Sequence, residues 1–267
     1  VLQRRLAQLS PGAEKTLGAL SVHSKSLRIE DLAKVATITT SECMTGLDQL
    51  HSFRLVRNNG VEVSVGHELI RRTVYQGLSA SRKAWLHEGL ARHLEDSIPH
   101  PPPDELAIHF HFAGAAREAL LYAREAAEKA EASGAIPEAL RFLGIAREHT
   151  DDPGEVADII GRMGHLNYLH QNLEEAAPLL EVAGQRFRRQ GLDGKALRAE
   201  LERVDSLGQT GLLPFRECLE ELDRIKAEAR EKGFWETFMK ALDVEAHKKE
   251  LLGDLEGIRN ILDQASR

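Results

Sequence analysis

Residues 61–96, VEVSVGHELIRRTVYQGLSASRKAWLHEGLARHLED, decide the fold of this chain. Val61, Val63 and Val65 alternate with Glu62 and Ser64, the two-residue period of a half-buried strand. Gly66-His67-Glu68 ends that alternation, and Leu69, Ile70, Val74, Tyr75 and Leu78 then recur at helical spacing. Ser79 and Ser81 offer caps before a second helix striped by Trp85, Leu86, Leu90 and Leu94. The order is strand, histidine, helix, serine break, helix.

Working back from this stretch, Asn58-Asn59-Gly60 separates Leu55–Arg57 from Val61–Val65, strong hairpin chemistry between two β-prone runs. Thr39-Thr40-Ser41 caps a helix that runs to Phe53 and carries Met44, Leu47, Leu50 and Phe53 on one face. Leu27 and Ile29 lead into a helix over Glu30–Ala36. Ser10-Pro11, with Glu14 at or next to the capping-box slot, starts a helix that turns Ala13, Leu17, Ala19, Leu20 and Val22 inward. Leu2–Leu9 is apolar at helical spacing. Three helices followed by a two-stranded ribbon is the winged-helix arrangement.

A winged helix raises the question of DNA. The helix that would enter the major groove, Ser41–Phe53, contains Glu42 and Asp48 and no Lys or Arg. Phosphate neutralisation supplies most non-specific affinity, and base readout uses Arg, Lys, Asn and Gln. Arg54, Arg57, Asn58 and Asn59 near the ribbon tip are a thin substitute, so docking on protein is favoured over DNA.

The chain has 267 residues, 42% hydrophobic and 29% charged, which is an ordinary globular composition. Cys43 and Cys218 are too few for a disulfide framework or a thiolate metal cage, which points to a reducing, cytoplasmic setting. No apolar run is long enough to span a membrane, and no signal peptide is expected. Charge divides unevenly: residues 1–96 hold 13 Lys/Arg against 10 Asp/Glu, and residues 97–267 hold 22 against 32. The run Ile98-Pro99-His100-Pro101-Pro102-Pro103 coincides with this shift and sets the expected boundary, with domains over 1–97 and 98–267. Val1 is not a methionine and both ends fall in helical patterns, so a piece of a longer protein is expected.

The first part of the chain resembles the winged-helix segment of the signal-transduction ATPases with numerous domains (STAND), most of all those in bacterial ATP-dependent transcriptional activators and cyclase- or kinase-linked regulators. The resemblance lies in Leu9-Ser10-Pro11, His67-Glu68, Leu69-Ile70-Arg71-Arg72-Thr73-Val74-Tyr75 and Leu86-His87. It covers about residues 1–150, and the remainder only as a type of repeat. It implies that His67 can reach the phosphates of a nucleotide bound by an ATPase domain upstream, holding a closed, ADP-bound state. The chemistry is sound, since an imidazole donates to phosphate oxygens. The plainer role for His67 is a cap at a strand–helix corner. ATP or ADP is expected in the full-length protein and no cofactor in this chain, which has no Gly-x-x-x-x-Gly-Lys-Ser/Thr loop.

After Pro103 every strong pattern is helical, with helices expected over 104–113, 116–133, 137–149, 154–171, 173–190, 194–210, 214–232, 234–251 and 255–266. Gly114…Ala119 and Gly134…Ala139 match the small-residue slots of a tetratricopeptide repeat, as do Gly164, Ala176 and Ala183. Gly253-Asp254-Leu255 with Ala265 suggests a last pair. The spacing drifts away from a regular period, so the repeats are tetratricopeptide-like. Stacked pairs of this kind form a solenoid that holds a peptide, a protein or a neighbouring domain.

Catalytic and metal-binding arrangements are not legible. His109 and His111 are two residues apart and point to different helix faces, as do His87 and His93, so no metal ligands are assigned. Arg186-Phe187-Arg188-Arg189 favours a helix C-terminus. Phe234-Trp235 reads as a packing anchor, and Glu174-Glu175, Glu220-Glu221 and the Lys226–Lys232 run as solvated faces. The expected fold class is mainly α, a winged-helix domain with a small β-hairpin followed by a tetratricopeptide-like α–α solenoid. The expected role is a non-catalytic regulatory and protein-interaction region. Its partners would be an upstream NTPase domain of the same chain and a protein or small-molecule effector on the repeats, with self-association allowed and no membrane. The alternative is a DNA-binding winged-helix transcription factor with a helical ligand domain.

Overall fold

The computed structural model describes residues 2–97, 99–251 and 253–265, and within the last helix it does not describe the side chains of residues 262, 264 and 265. The expected residue Ile98 of the proline-rich run, the start at Val1, the Ala265 slot and the final residue of the last expected helix therefore lie outside the described residues. The fold is mainly α, with one small antiparallel sheet. The chain divides into two compact units, Val1–Ala126 and Ala127–Arg267. The boundary expected at 97/98 falls inside the first.

In the first unit, α1 (Leu2–Leu6) precedes α2 (Pro11–Ser21), capped by the Ser10 hydroxyl, which accepts from the Ala13 amide at 3.3 Å. A short strand β1 (Leu27–Arg28) and α3 (Ile29–Ala36) follow. Helix α4 (Thr40–Ser52) opens with a full capping box: Thr39 Oγ1 accepts from the Glu42 amide and Glu42 Oε2 accepts from the Thr39 amide. Strands β2 (Val56–Asn58) and β3 (Glu62–Val65) form the hairpin, and β1 pairs on the other edge of β3 through Leu27 and Val63. The ribbon thus has three strands where two were expected. The pair Leu27-Arg28 is too short to show a period, so only the partner strand reveals it.

Helices α5 (Glu68–Gly77), α6 (Ala80–Ser97) and α7 (Pro103–Ala113) complete the block with the first part of α8 (Ala116–Ala132). One core holds Leu17, Leu20, Leu32, Leu50, Leu55, Val63, Leu86 and Leu90, and it continues through Leu106, Phe110 and Ala119. Phe110 stacks on Tyr122, whose hydroxyl donates to Glu95 at 2.6 Å. These contacts are why the first unit runs past the prolines: Pro99–Pro103 breaks a helix without ending a core. Leu69, Trp85 and Met44, expected on inward helix faces, are exposed instead, as is Val61 at the start of its strand run. Each of the three helical residues sits at the margin of its apolar stripe, where helical spacing alone does not place it.

The second unit consists of the rest of α8 and of α9 (Ile136–Glu148), α10 (Pro153–Leu169), α11 (Leu173–Arg189), α12 (Asp193–Gln209), α13 (Phe215–Glu231), α14 (Trp235–Leu251) and α15 (Leu255–Ala265). The expected helix bounds hold to within two residues. Ala139, Ala176, Ala183 and Ala196 are fully buried, as small-residue slots require. A Cβ added at Gly164 would lie 2.9 Å from the Leu180 side chain, so α10 and α11 touch where no larger residue fits. The turn between these helices carries Gln171 at φ 61°, a left-handed position that glycine fills at other helix ends in this unit.

Charges expected to be solvated are in several places engaged. Arg188 holds Glu200 through Nε at 2.6 Å and Glu228 through Nη1 at 2.8 Å, tying α11 to α12 and α13. Lys226 is buried and pairs with Asp223 and Glu245. Lys248 reaches Asp205 at 3.0 Å, and Tyr168 donates to the same carboxylate at 2.8 Å. Of the expected aromatic anchor, Phe234 packs into the core while Trp235 is largely exposed. Among the described residues, no helix is long and apolar enough to cross a membrane.

Candidate functional site

Two adjoining clefts in the first unit gather its chemically capable side chains. The smaller, about 310 Å³, is lined by His67, Arg57, Lys25 and Arg71. His67 is the N-cap of α5 with extended backbone, and its Nδ1 accepts the Leu69 amide at 3.1 Å. That bond fixes the neutral tautomer, because a nitrogen that accepts carries no proton. The proton sits on Nε2, so the ring is both a cap and a donor, and the ring is exposed. Beside it Arg71 grips Glu68 through two bonds of 2.7 Å and donates through Nη1 to the Ser21 carbonyl at 3.0 Å. The Arg71 hydrogen bonds hold the Glu68 carboxyl below its ordinary value.

The larger cleft, about 810 Å³, lies between the end of α2, helix α5 and helix α7, with Lys83 and His87 of α6 also on its wall. It contains a cluster of histidines from three parts of the chain. His87 and His109 share a hydrogen bond between their Nδ1 atoms at 2.8 Å, and the Tyr75 hydroxyl meets His87 Nε2 at 3.0 Å. His23 Nδ1 lies 3.3 Å from Glu105 Oε1, and Lys25 Nζ lies 2.7 Å from Glu105 Oε2. Phe112 packs against the His87 ring. Burial disfavours the charged imidazolium, bringing His87 down to about 4 and His109 to about 3, and it lowers His23 as well. All three rings are therefore neutral near pH 7.

Sequence spacing missed this cluster. It compared His109 with His111, and His87 with His93, along single helices. The productive relation within α7 is Glu105 to His109, four residues apart and on one face. His23 and His87 join from elsewhere in the chain, and no local pattern signals that meeting. His93 instead reaches Asp31 at 3.2 Å.

The face expected to enter a DNA groove presents Glu42, Met44, Thr45, Asp48 and His51. Gln49 is spent on the fold: its Nε2 donates to the Gln8 carbonyl and its Oε1 accepts from the Ser10 amide. Asn58 and Asn59 accept backbone amides of their own turn. Cys43 and Cys218 are buried thiols raised above the ordinary value chiefly by desolvation, the state of unreactive cysteines.

The fold and the clefts together define a mainly α chain of packed helix pairs led by a helix-and-ribbon block with a histidine-rich cleft. No family model matches the chain, and no curated protein does. Among solved structures it is similar to a STAND protein with a tetratricopeptide repeat sensor from Pyrococcus horikoshii, at 14% identity and a TM-score of 0.43, over 97% of this chain and 44% of that one. The chain spans less than half the length of that protein.

Proposed function

We propose that this chain is a non-catalytic regulatory and protein-interaction region of a multidomain signalling ATPase or transcriptional regulator. In this reading the winged-helix block docks on a nucleotide-binding domain of the same polypeptide, and the helix pairs that follow receive an effector or a partner protein. The observation that carries it is the state of His67. Its cap to Leu69 leaves Nε2 as the protonated nitrogen at the mouth of a cleft shared with Arg57 and Lys25. Such a corner suits a nucleotide phosphate presented by a docked domain. Activation is then a shift between closed and open arrangements of preformed blocks.

The experiment joins the chain to the nucleotide-binding domain encoded with it and measures ADP retained after purification. His67→Ala should release ADP faster than the wild type. Equal retention removes His67 from the mechanism, and the absence of any such encoded domain removes the reading itself. The rival, a DNA-binding transcription factor, finds no support on α4, whose exposed face holds carboxylates and no Lys or Arg. A salt-dependent gel shift abolished by Arg54→Ala with Arg57→Ala would restore that rival.

A further inference from the structure

We propose that His23, Glu105 and His109 form a binding site for a divalent transition metal, with zinc the best chemical match. This inference is independent of the role given to His67. Among the described residues, these three are brought together so that their candidate ligand atoms all lie within 4.8 Å of one another. Two imidazoles and one carboxylate are a recurrent zinc ligand set, and they leave a fourth position for water or a bound group. All three residues line the larger cleft.

Three features make the cluster more than a chance meeting of polar groups. First, both histidines are almost fully buried, at 6% and 5% exposure, and the Glu105 side chain is only 13% exposed. Burying two imidazoles and a carboxylate in one place is costly unless they satisfy one another or a cation. Second, Glu105 and His109 stand four apart on α7, so a single rigid helix fixes their separation. His23, just past the C-terminus of α2, supplies the third donor from another element.

Third, an outer layer is already built. Metal-bound histidines characteristically donate their second ring nitrogen to a neighbouring group, which fixes tautomer and orientation. If His109 binds through Nε2, its Nδ1–H donates to Nδ1 of His87, and Nε2–H of His87 donates to the Tyr75 hydroxyl oxygen. One assignment of protons satisfies the whole chain of contacts at 2.8 Å and 3.0 Å. Lys25 is the opposing element, because its ammonium sits on the carboxylate that a cation would use. Its side chain is 67% exposed, so it can leave for solvent as the metal enters.

The full chain, stripped with a chelator and dialysed, is titrated with Co²⁺ for its visible d–d spectrum and with Zn²⁺ in competition with a chromophoric chelator. One metal ion per chain is expected. His23→Gln, Glu105→Gln and His109→Gln should each weaken binding about 100-fold, and His87→Gln about tenfold as an outer-layer change. Lys25→Gln, which removes the competing ammonium from an exposed side chain, should tighten binding several-fold. Circular dichroism and melting temperature accompany each variant, and Lys25→Gln tests the site even where a core variant fails to fold. Absence of stoichiometric binding, or binding unchanged in folded His23→Gln and Glu105→Gln, overturns the proposal. Binding that Lys25→Gln leaves unaffected does the same.

Discussion

One close approach of two elements in the first unit rests on a single residue. Gly46 of α4 faces the backbone of α2, where an added Cβ would lie 3.1 Å from the Ala13 Cα and amide nitrogen and from the Gly12 carbonyl carbon. Backbone cannot rotate aside as a side chain does. Gly46→Ala should therefore destabilise the chain by about 1–3 kcal/mol, despite the better helix propensity of alanine, as read by urea denaturation. A neutral or stabilising result would mean the two helices slide apart freely. At the same scale, sequence located His67 and its capping role from the broken alternation at Gly66. It did not find His23 and His109, because their partnership is a product of tertiary packing. The helical stripes were legible at their centres, Leu86, Leu90 and Leu94, and failed at their edges, Leu69 and Trp85.

At the scale of elements, most of the secondary structure was legible because strong punctuation agrees with periodicity. Ser10-Pro11, Thr39 with Glu42, Asn59-Gly60 and Ser79 each mark a boundary by a specific hydrogen bond or backbone restriction. The cap of α4 gives a direct test. Thr39→Ala removes the hydroxyl that accepts the Glu42 amide, and it should cost about 1 kcal/mol of stability, measured by thermal melting. Thr39→Ser should recover most of that loss, whereas equal loss in both variants would point to packing of the threonine methyl. Strand β1 escaped because two residues carry no period, and its strand character exists only through pairing with β3.

At the scale of the molecule, the proline run and the shift in charge marked a change of pattern at 97/98, yet the first core continues to Ala119 through Leu106 and Phe110. Composition reports where a linker-like sequence lies, while the extent of a unit depends on which apolar faces meet. Of the runs that read as solvated faces, Glu174, Glu175 and Glu220 are exposed, while Lys226 and Glu228 of the Lys226–Lys232 run are paired across helices, Glu228 with Arg188, which also holds Glu200. The Arg188 hydrogen bonds bring Glu228 down to about 2 from an ordinary 4.5. A carboxylate whose pKa is lowered on folding contributes stability that is present above the ordinary value and lost as pH falls toward the folded one. Melting temperature should therefore fall between about pH 4.5 and pH 2 in the wild type. Arg188→Met should lower stability at pH 7 by about 1 kcal/mol and make that acid limb shallower. An unchanged slope in Arg188→Met would show that the pair is screened by solvent and contributes nothing.

The contact of Gly164 with Leu180 reaches beyond this one polypeptide. Because the space is shared by two residues sixteen apart, neither can grow alone. In diverged descendants of this gene, a methyl gained at the first place should be matched by volume given up at the second. Such a reciprocal exchange of bulk is a historical trace that comparative sequencing can recover.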